Sequence, residues 1–253
     1  MNNIIVRESA SELRSIARTA LSANWGKVTL GYVIYYLLST VVSDILGMIF
    51  NSDSFTMALP YFDNASTISI VSNLYDIVVA GALSFGLISF FISFFRRKDI
   101  NPTKIFDGFE VFLKALGLSL MMGLLIFLWS LLFIIPGIIA WYRYSQSFYI
   151  MLDNPDMGIM DCINESKRLM NNNKGRLFYL SITFIGWNIL AIIPGMFLLS
   201  MHGILGYGLS LVASIPTFFV AVYLITAQTA FYELVSGHLI AEPRTSDEGY
   251  EQY

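Results

Sequence analysis

From Ala115 to Tyr142 the chain carries no charged side chain. A helix crosses a bilayer with about 20 apolar residues, and this run exceeds that. Apolar runs of similar length occupy 28–50, 68–95, 177–200 and 209–235. Charged residues make up 13% of the chain and hydrophobic ones 56%. A soluble domain carries roughly twice that charge, and so few charges cannot keep a soluble surface wet. The expected class is therefore an all-α polytopic membrane protein.

One phrase within these runs is written twice. Trp129–Gly137 reads WSLLFIIPG and Trp187–Gly195 reads WNILAIIPG, identical at six of nine positions. Each copy is followed by a related phrase, Gln146-Ser-Phe-Tyr149 in one case and Gln228-Thr-Ala-Phe-Tyr232 in the other. The pattern suggests a duplicated membrane hairpin whose structural motif is Trp129, Pro136, Gly137 and Trp187, Pro194, Gly195.

Charge distribution predicts the topology. All Lys and Arg but one fall in the first 27 residues, in 96–114, in 167–176 and in the tail, while the loops at 51–67 and 201–208 have none. By the positive-inside rule these basic segments are cytoplasmic. The run 111–152 must then cross an even number of times. Its length reaches roughly 60 Å as helix, enough for two passes. The turn is expected at Pro136-Gly137, because Pro breaks a helix and Gly permits reversal. The short return arm, 138–152, reads equally as a full span or a re-entrant segment.

About six transmembrane helices follow, as three tandem hairpins at 28–95, 111–152 and 177–236, each preceded by a cytoplasmic amphipathic helix. Residues 1–241 form one membrane domain, and 242–253 a disordered acidic tail. The first amphipathic helix, 5–23, opens on the capping box Ser9–Glu12. It lies on the leaflet, packs on the bundle, or does both. Asn101-Pro102 and Asn154-Pro155 each read as a helix start. Ala82 and Gly86 offer a small-residue packing face, and Pro216 is expected to bend the last span. No cleavable signal peptide is expected.

The residues Ser11-Glu-Leu-Arg14, Asn24-Trp-Gly-Lys27, Ile134-Ile-Pro-Gly137, Asp153-Asn-Pro-Asp156, Glu165-Ser-Lys-Arg-Leu-Met170, Phe184-Ile-Gly-Trp187 and Phe231-Tyr-Glu-Leu234 carry a resemblance. The chain resembles the Gram-positive integral membrane proteins grouped as domain of unknown function 975. The resemblance implies a multi-pass protein of the bacterial plasma membrane and brings no established activity or catalytic residues. The outer loop at 51–67 is longer than the family pattern.

No catalytic constellation, metal set or phosphate-cradling loop occurs in the sequence, so no enzyme activity, cofactor or nucleic-acid partner is expected. The lone Cys162 excludes an internal disulfide. His202 and His238 fall on opposite sides of the membrane in this topology. The ligand-binding candidates are Arg143 and Asp76. Arg143 is expected at mid-depth, where a guanidinium must face the bundle interior or water, with Asp76 as its partner; the two read as a site for an anionic group, or else as a structural ion pair or an Arg snorkelling from a shallow segment. Glu233 is expected to reach the interface or pair with a cytoplasmic base. The functional expectation is a non-enzymatic protein that binds or moves an amphipathic ligand, lipid or peptide, within the bundle. The alternative is a scaffold or accessory subunit that meets a protein partner through its cytoplasmic helices.

Overall fold

The computed structural model describes residues 4–50, 56–57, 68–199, 209 and 212–239. The fold is helical, apart from a two-residue antiparallel pairing of Thr56–Met57 with Ile68–Ser69. Among the described residues, five helical stretches are long and apolar enough to cross a membrane: Trp25–Gly47, Val71–Arg97, Phe112–Leu132, Lys174–Met196 and Ile215–Val235. This is a membrane protein. The expected acidic tail, His202 and nearly all of the loop at 51–67 lie outside the described residues.

Helix α1 (Ala10–Leu21) begins where Ser9 and Glu12 form the expected capping box. Its face of Ala10, Leu13, Ala17 and Leu21 is buried against the bundle. Helix α2 (Trp25–Tyr36) passes through a π-helical turn at Leu37–Val41 into α3 (Val42–Phe50). The Tyr75 hydroxyl donates to the Leu38 carbonyl in that turn, filling a bond that a π-turn disturbs. Helix α4 (Ile70–Arg97) is the central element. A 3-10 turn, Pro102–Phe106, then starts on Asn101, whose side chain accepts from the Thr103 N–H. Helix α5 (Asp107–Glu110) follows. A Cβ on Gly86 would overlap the Ile105 carbonyl, and one on Gly108 the Ala82 carbonyl. The small-residue face of α4 therefore seats this turn and α5.

Helix α6 (Phe112–Leu132) ends at an extended Phe133, and α7 (Ile134–Tyr144) turns back along it. The break thus lies before Pro136-Gly137. A proline ring clashes with the carbonyl four residues back, here Leu132, so α6 stops there and Pro136 falls in the first turn of α7, where no N–H is required. Gly137 makes close approach possible rather than reversal: a Cβ there would overlap the Ser130 hydroxyl. The second copy of the phrase behaves differently, with Pro194 inside α11 (Ile185–Leu199). Asn188 stands where the first copy has Ser130, and its amide donates to the Phe184 carbonyl of its own helix at 3.0 Å.

The stretch 138–152 is not one helix. Helix α7 covers 11 residues, roughly 16 Å, and a break at Ser145-Gln146 separates it from α8 (Ser147–Asp153). Asn154 closes α8 by donating to the Ile150 carbonyl from both backbone (2.8 Å) and side chain (3.2 Å). It does not open α9 (Ile159–Leu169), whose N-cap is Gly158. The competing local bond wins because Asn side chains readily satisfy nearby backbone. Helix α10 (Lys174–Ile182) leads into α11 through a turn at Thr183-Phe184. Helix α12 (Ile215–Val235) carries Pro216 in its first turn, so that proline starts the helix instead of bending it.

Burial is uneven along the spans. On α12 every residue from Thr229 to Val235 is buried, whereas Ile215 and Phe219 near its start are exposed. The α6–α7 hairpin is bare at its tip: Phe133, Ile134 and Ile135 are 75%, 78% and 70% exposed. The helices are packed at the end holding the basic residues and present apolar side chains outward at the other.

Candidate functional site

The packed end is organised by Arg96, at the last turn of α4. Its guanidinium bonds both Asp153 carboxylate oxygens, Nη1 to Oδ1 at 2.7 Å and Nη2 to Oδ2 at 2.9 Å. It also reaches Glu233 Oε1 from Nε at 2.9 Å and from Nη2 at 2.7 Å. Such forked, charge-assisted contacts are the strong class of hydrogen bond. Tyr232 donates its hydroxyl to Asp153 Oδ2 at 2.6 Å, and its ring stacks on Tyr149 with centroids 4.7 Å apart. His238 Nδ1 lies 3.2 Å from Arg96 Nη2 and 2.8 Å from the Ser236 hydroxyl. Burial alone would raise the Asp153 carboxyl, but the hydrogen bonds from Arg96 and Tyr232 outweigh it and hold its pKa below the ordinary value. The base that Glu233 meets is thus Arg96.

Two related phrases face each other here. Tyr149 and Tyr232 are the final residues of the phrases noted above, and the Tyr149 hydroxyl sits 3.4 Å from Thr229 Oγ1. Sequence reading paired these phrases by likeness but had no signal that they touch.

Other bonds tie the remaining basic segments to this end. Lys98 donates to the Ala20 carbonyl at 3.1 Å, and Lys114 to that of Pro155. The buried Asn173 accepts from the Val6 N–H at 3.0 Å and donates to the Ile4 and Leu169 carbonyls at 2.8 and 2.7 Å. Residues from the start of the chain, from 96–114, from 153–173 and from 233–238 therefore share one end.

The predicted ligand candidates are not brought together. Asp76 is exposed on the outer part of α4, and among the described residues no ion pair joins it to Arg143. Arg143 is half-buried where α7 meets α9. Its carbonyl accepts from the Ser166 hydroxyl at 2.9 Å, and Ser166 Oγ accepts from the Gln146 N–H at 3.2 Å. The next residue, Tyr144, lies under the Lys167 ammonium, 5.7 Å from the ring centroid. Tyr142 meets Phe178 edge-on at 5.5 Å. Arg143 thus stands beside the basic segment 167–176, because the break after Tyr144 brings α9 against the end of α7.

An open groove of about 520 Å³ runs along the α6–α7 hairpin. Ile126, Ser130, Ile134, Gly137, Ile138, Trp141 and Tyr142 line it. It exists because Gly137 lets α7 settle on Ser130. The Ser130 hydroxyl is already committed to the Ile126 carbonyl at 2.8 Å, so the groove is apolar in character. A second, smaller space of about 280 Å³ lies between the N-terminal strap and the end of α12, lined by Ile4 to Glu8, Leu234, Gly237 and Leu239. Among the described residues no three His, Cys, Asp or Glu side chains are grouped to hold a metal ion. Cys162 is buried, and that burial pushes its thiol pKa up.

A family model described as protein of unknown function DUF975 matches residues 1–141 and 131–238. The chain belongs to this family. The matched segments take in the hairpin motif, Arg96, Asp153 and Glu233, so every group described above lies in the DUF975 region. No curated protein and no solved structure matches the chain.

Proposed function

We propose that this DUF975 protein is a non-enzymatic membrane protein that binds or moves an amphipathic ligand, with the α6–α7 groove as its seat and Arg143 of α7 as a second determinant. The observation that carries this reading is the groove itself: a lined, apolar concavity of about 520 Å³, within the 300–1,000 Å³ range of ligand sites. The six-span layout, as three tandem hairpins with both termini on the cytoplasmic face of the bacterial plasma membrane, is part of the proposal. The meeting of basic segments at one end supports it.

A scaffold role would use the apolar faces of the cytoplasmic helices. Those of α1 and α9 are turned into the bundle, with Leu13, Ala17, Cys162 and Ile163 buried, and this favours the ligand reading. Native mass spectrometry of gently extracted protein tests it, comparing wild type with Ile138→Trp, which fills the groove, and with Arg143→Ala. Wild type should retain a lipid or peptide that both variants lose while their melting temperatures hold. Equal retention in all three proteins would overturn the proposal.

A further inference from the structure

We infer that the break between α7 and α8 is a hinge that opens to water, wedged by the Ser166 hydroxyl of α9 and loaded by two buried polar groups that the closed form leaves unbonded. The hinge needs no ligand and stands apart from the reading above. In an unbroken helix the Gln146 N–H would donate to the Tyr142 carbonyl four residues back. It donates instead to Ser166 Oγ at 3.2 Å, and that hydroxyl donates to the Arg143 carbonyl at 2.9 Å. The Tyr142 carbonyl is taken by the Ser145 hydroxyl at 2.9 Å. A side chain inserted into the backbone ladder is one of the few causes of a sharp helix break. The two arms on either side are held unequally. On α8, Ser147 to Met151 are all buried, Tyr149 stacks on Tyr232, and Asp153 is bound by Arg96. On α7, Ile138, Ile139 and Trp141 are exposed.

The joint itself carries the load. Gln146 is 2% exposed and Ser147 fully buried, yet Gln146 Oε1 and Ser147 Oγ have no hydrogen-bond partner among the described residues. The neighbouring serine fixes which way the Gln146 amide faces. The Ser145 hydroxyl commits its one hydrogen to the Tyr142 carbonyl, so it can only accept, and it accepts from Gln146 Nε2 at 2.8 Å. Turning the amide over would set two acceptors against each other and strand the NH2 group instead. A helical serine ordinarily turns back to the carbonyl four residues before it. For Ser147 that carbonyl belongs to Arg143 and is already occupied by Ser166. Buried polar groups in native proteins are nearly always bonded, and unbonded ones mark stored strain. Each disfavours the closed form by about tenfold. Water supplies both missing bonds when α7 tilts away from α8, so the pair biases the joint toward opening.

Hydrogen–deuterium exchange of the full chain in mild detergent, read by mass spectrometry, tests the hinge. Peptides covering 141–147 should exchange at least about tenfold faster than those covering 148–153 of α8 or 229–235 of α12. Ser147→Ala removes one unbonded group and should slow exchange at the joint by about tenfold. Gln146→Leu, of similar volume, makes the same test through the other group. Ser166→Ala withdraws the wedge, lets the Gln146 N–H return to the helical ladder and should slow the joint as well. The exposed Lys27→Gln should leave every rate unchanged. Exchange in 229–235 reports loosening of the whole fold, so a variant that is merely destabilised is recognised by a rise there. A wild-type joint that exchanges no faster than α8 overturns the hinge, and that measurement needs no variant. With 229–235 unaffected, a joint rate that stays the same or rises in Ser147→Ala and Gln146→Leu overturns the role of the unbonded groups. The same result in Ser166→Ala overturns the wedge.

Discussion

Arg96→Ala should be the most damaging single substitution at the packed end. The Glu233 side chain is only 4% exposed and that of Asp153 14%, whereas that of Arg96 is 29% exposed. Removing the guanidinium leaves two acids facing one another. Asp153 can turn toward water and keeps Tyr232 and His238 as neighbours. Glu233 cannot, and its burial dominates the cost. Breaking a buried pair by removing one partner costs about 3–5 kcal/mol. For a chain of this size that corresponds to a fall in Tm of roughly 6–20 °C. Adding Glu233→Gln removes the stranded charge and should recover part of the loss, a coupling of about 1–3 kcal/mol. Circular-dichroism melts in one mild detergent measure all three proteins, with the exposed Arg97→Ala as control. A fall no larger than the control's, or a double variant no better than Arg96→Ala, would refute the claim that this network holds the bundle together.

Two further outcomes follow from local geometry. The Asp153 carboxyl has its pKa held below the ordinary value in the folded protein, so its contribution is present above the unfolded pKa of about 4 and is lost as pH falls below that. Wild type and Asp153→Asn should differ in Tm at pH 7 and converge as the pH is lowered through 4 toward 3; a constant difference would show that the carboxyl's charge is not what stabilises. On the α6–α7 hairpin, Gly137→Val should cost about 1–3 kcal/mol by overpacking against Ser130. Gly123→Ala, where a Cβ meets open space, should be neutral or gain up to about 1 kcal/mol, and thermal melts that rank the two the other way would refute the close-approach account.

Several features were readable from local pattern because their causes are local. The Ser9–Glu12 capping box and the Asn101 cap both depend on a few residues close in the chain. The duplicated phrase was readable as a repeat, yet its two copies fold differently. Pro136 falls in the first turn of a new helix, whereas Pro194 lies inside one. Asn154 was misread for a related reason: Asn serves either end of a helix, and the Ile150 carbonyl four residues back was the nearer partner. The pairing of Arg143 with Asp76 relied on equal counts of residues from the outer side, with the return arm taken to begin at 138. The turn falls at Phe133 and α7 begins at Ile134, so the count to Arg143 is longer than that premise allowed.

The sequence by itself determined that this is a membrane protein of long apolar helices, that it belongs to DUF975, and which segments carry the positive charge. These follow from composition and order, since transfer of apolar side chains out of water and exclusion of charge from hydrocarbon act on each segment separately. Tertiary structure alone decided that Arg96 joins Asp153 and Glu233, that Tyr149 stacks on Tyr232, and that a groove opens along the α6–α7 hairpin. Those contacts link residues far apart in the chain. They depend on helix ends, breaks and close approaches combining in three dimensions, and no local rule carries that sum.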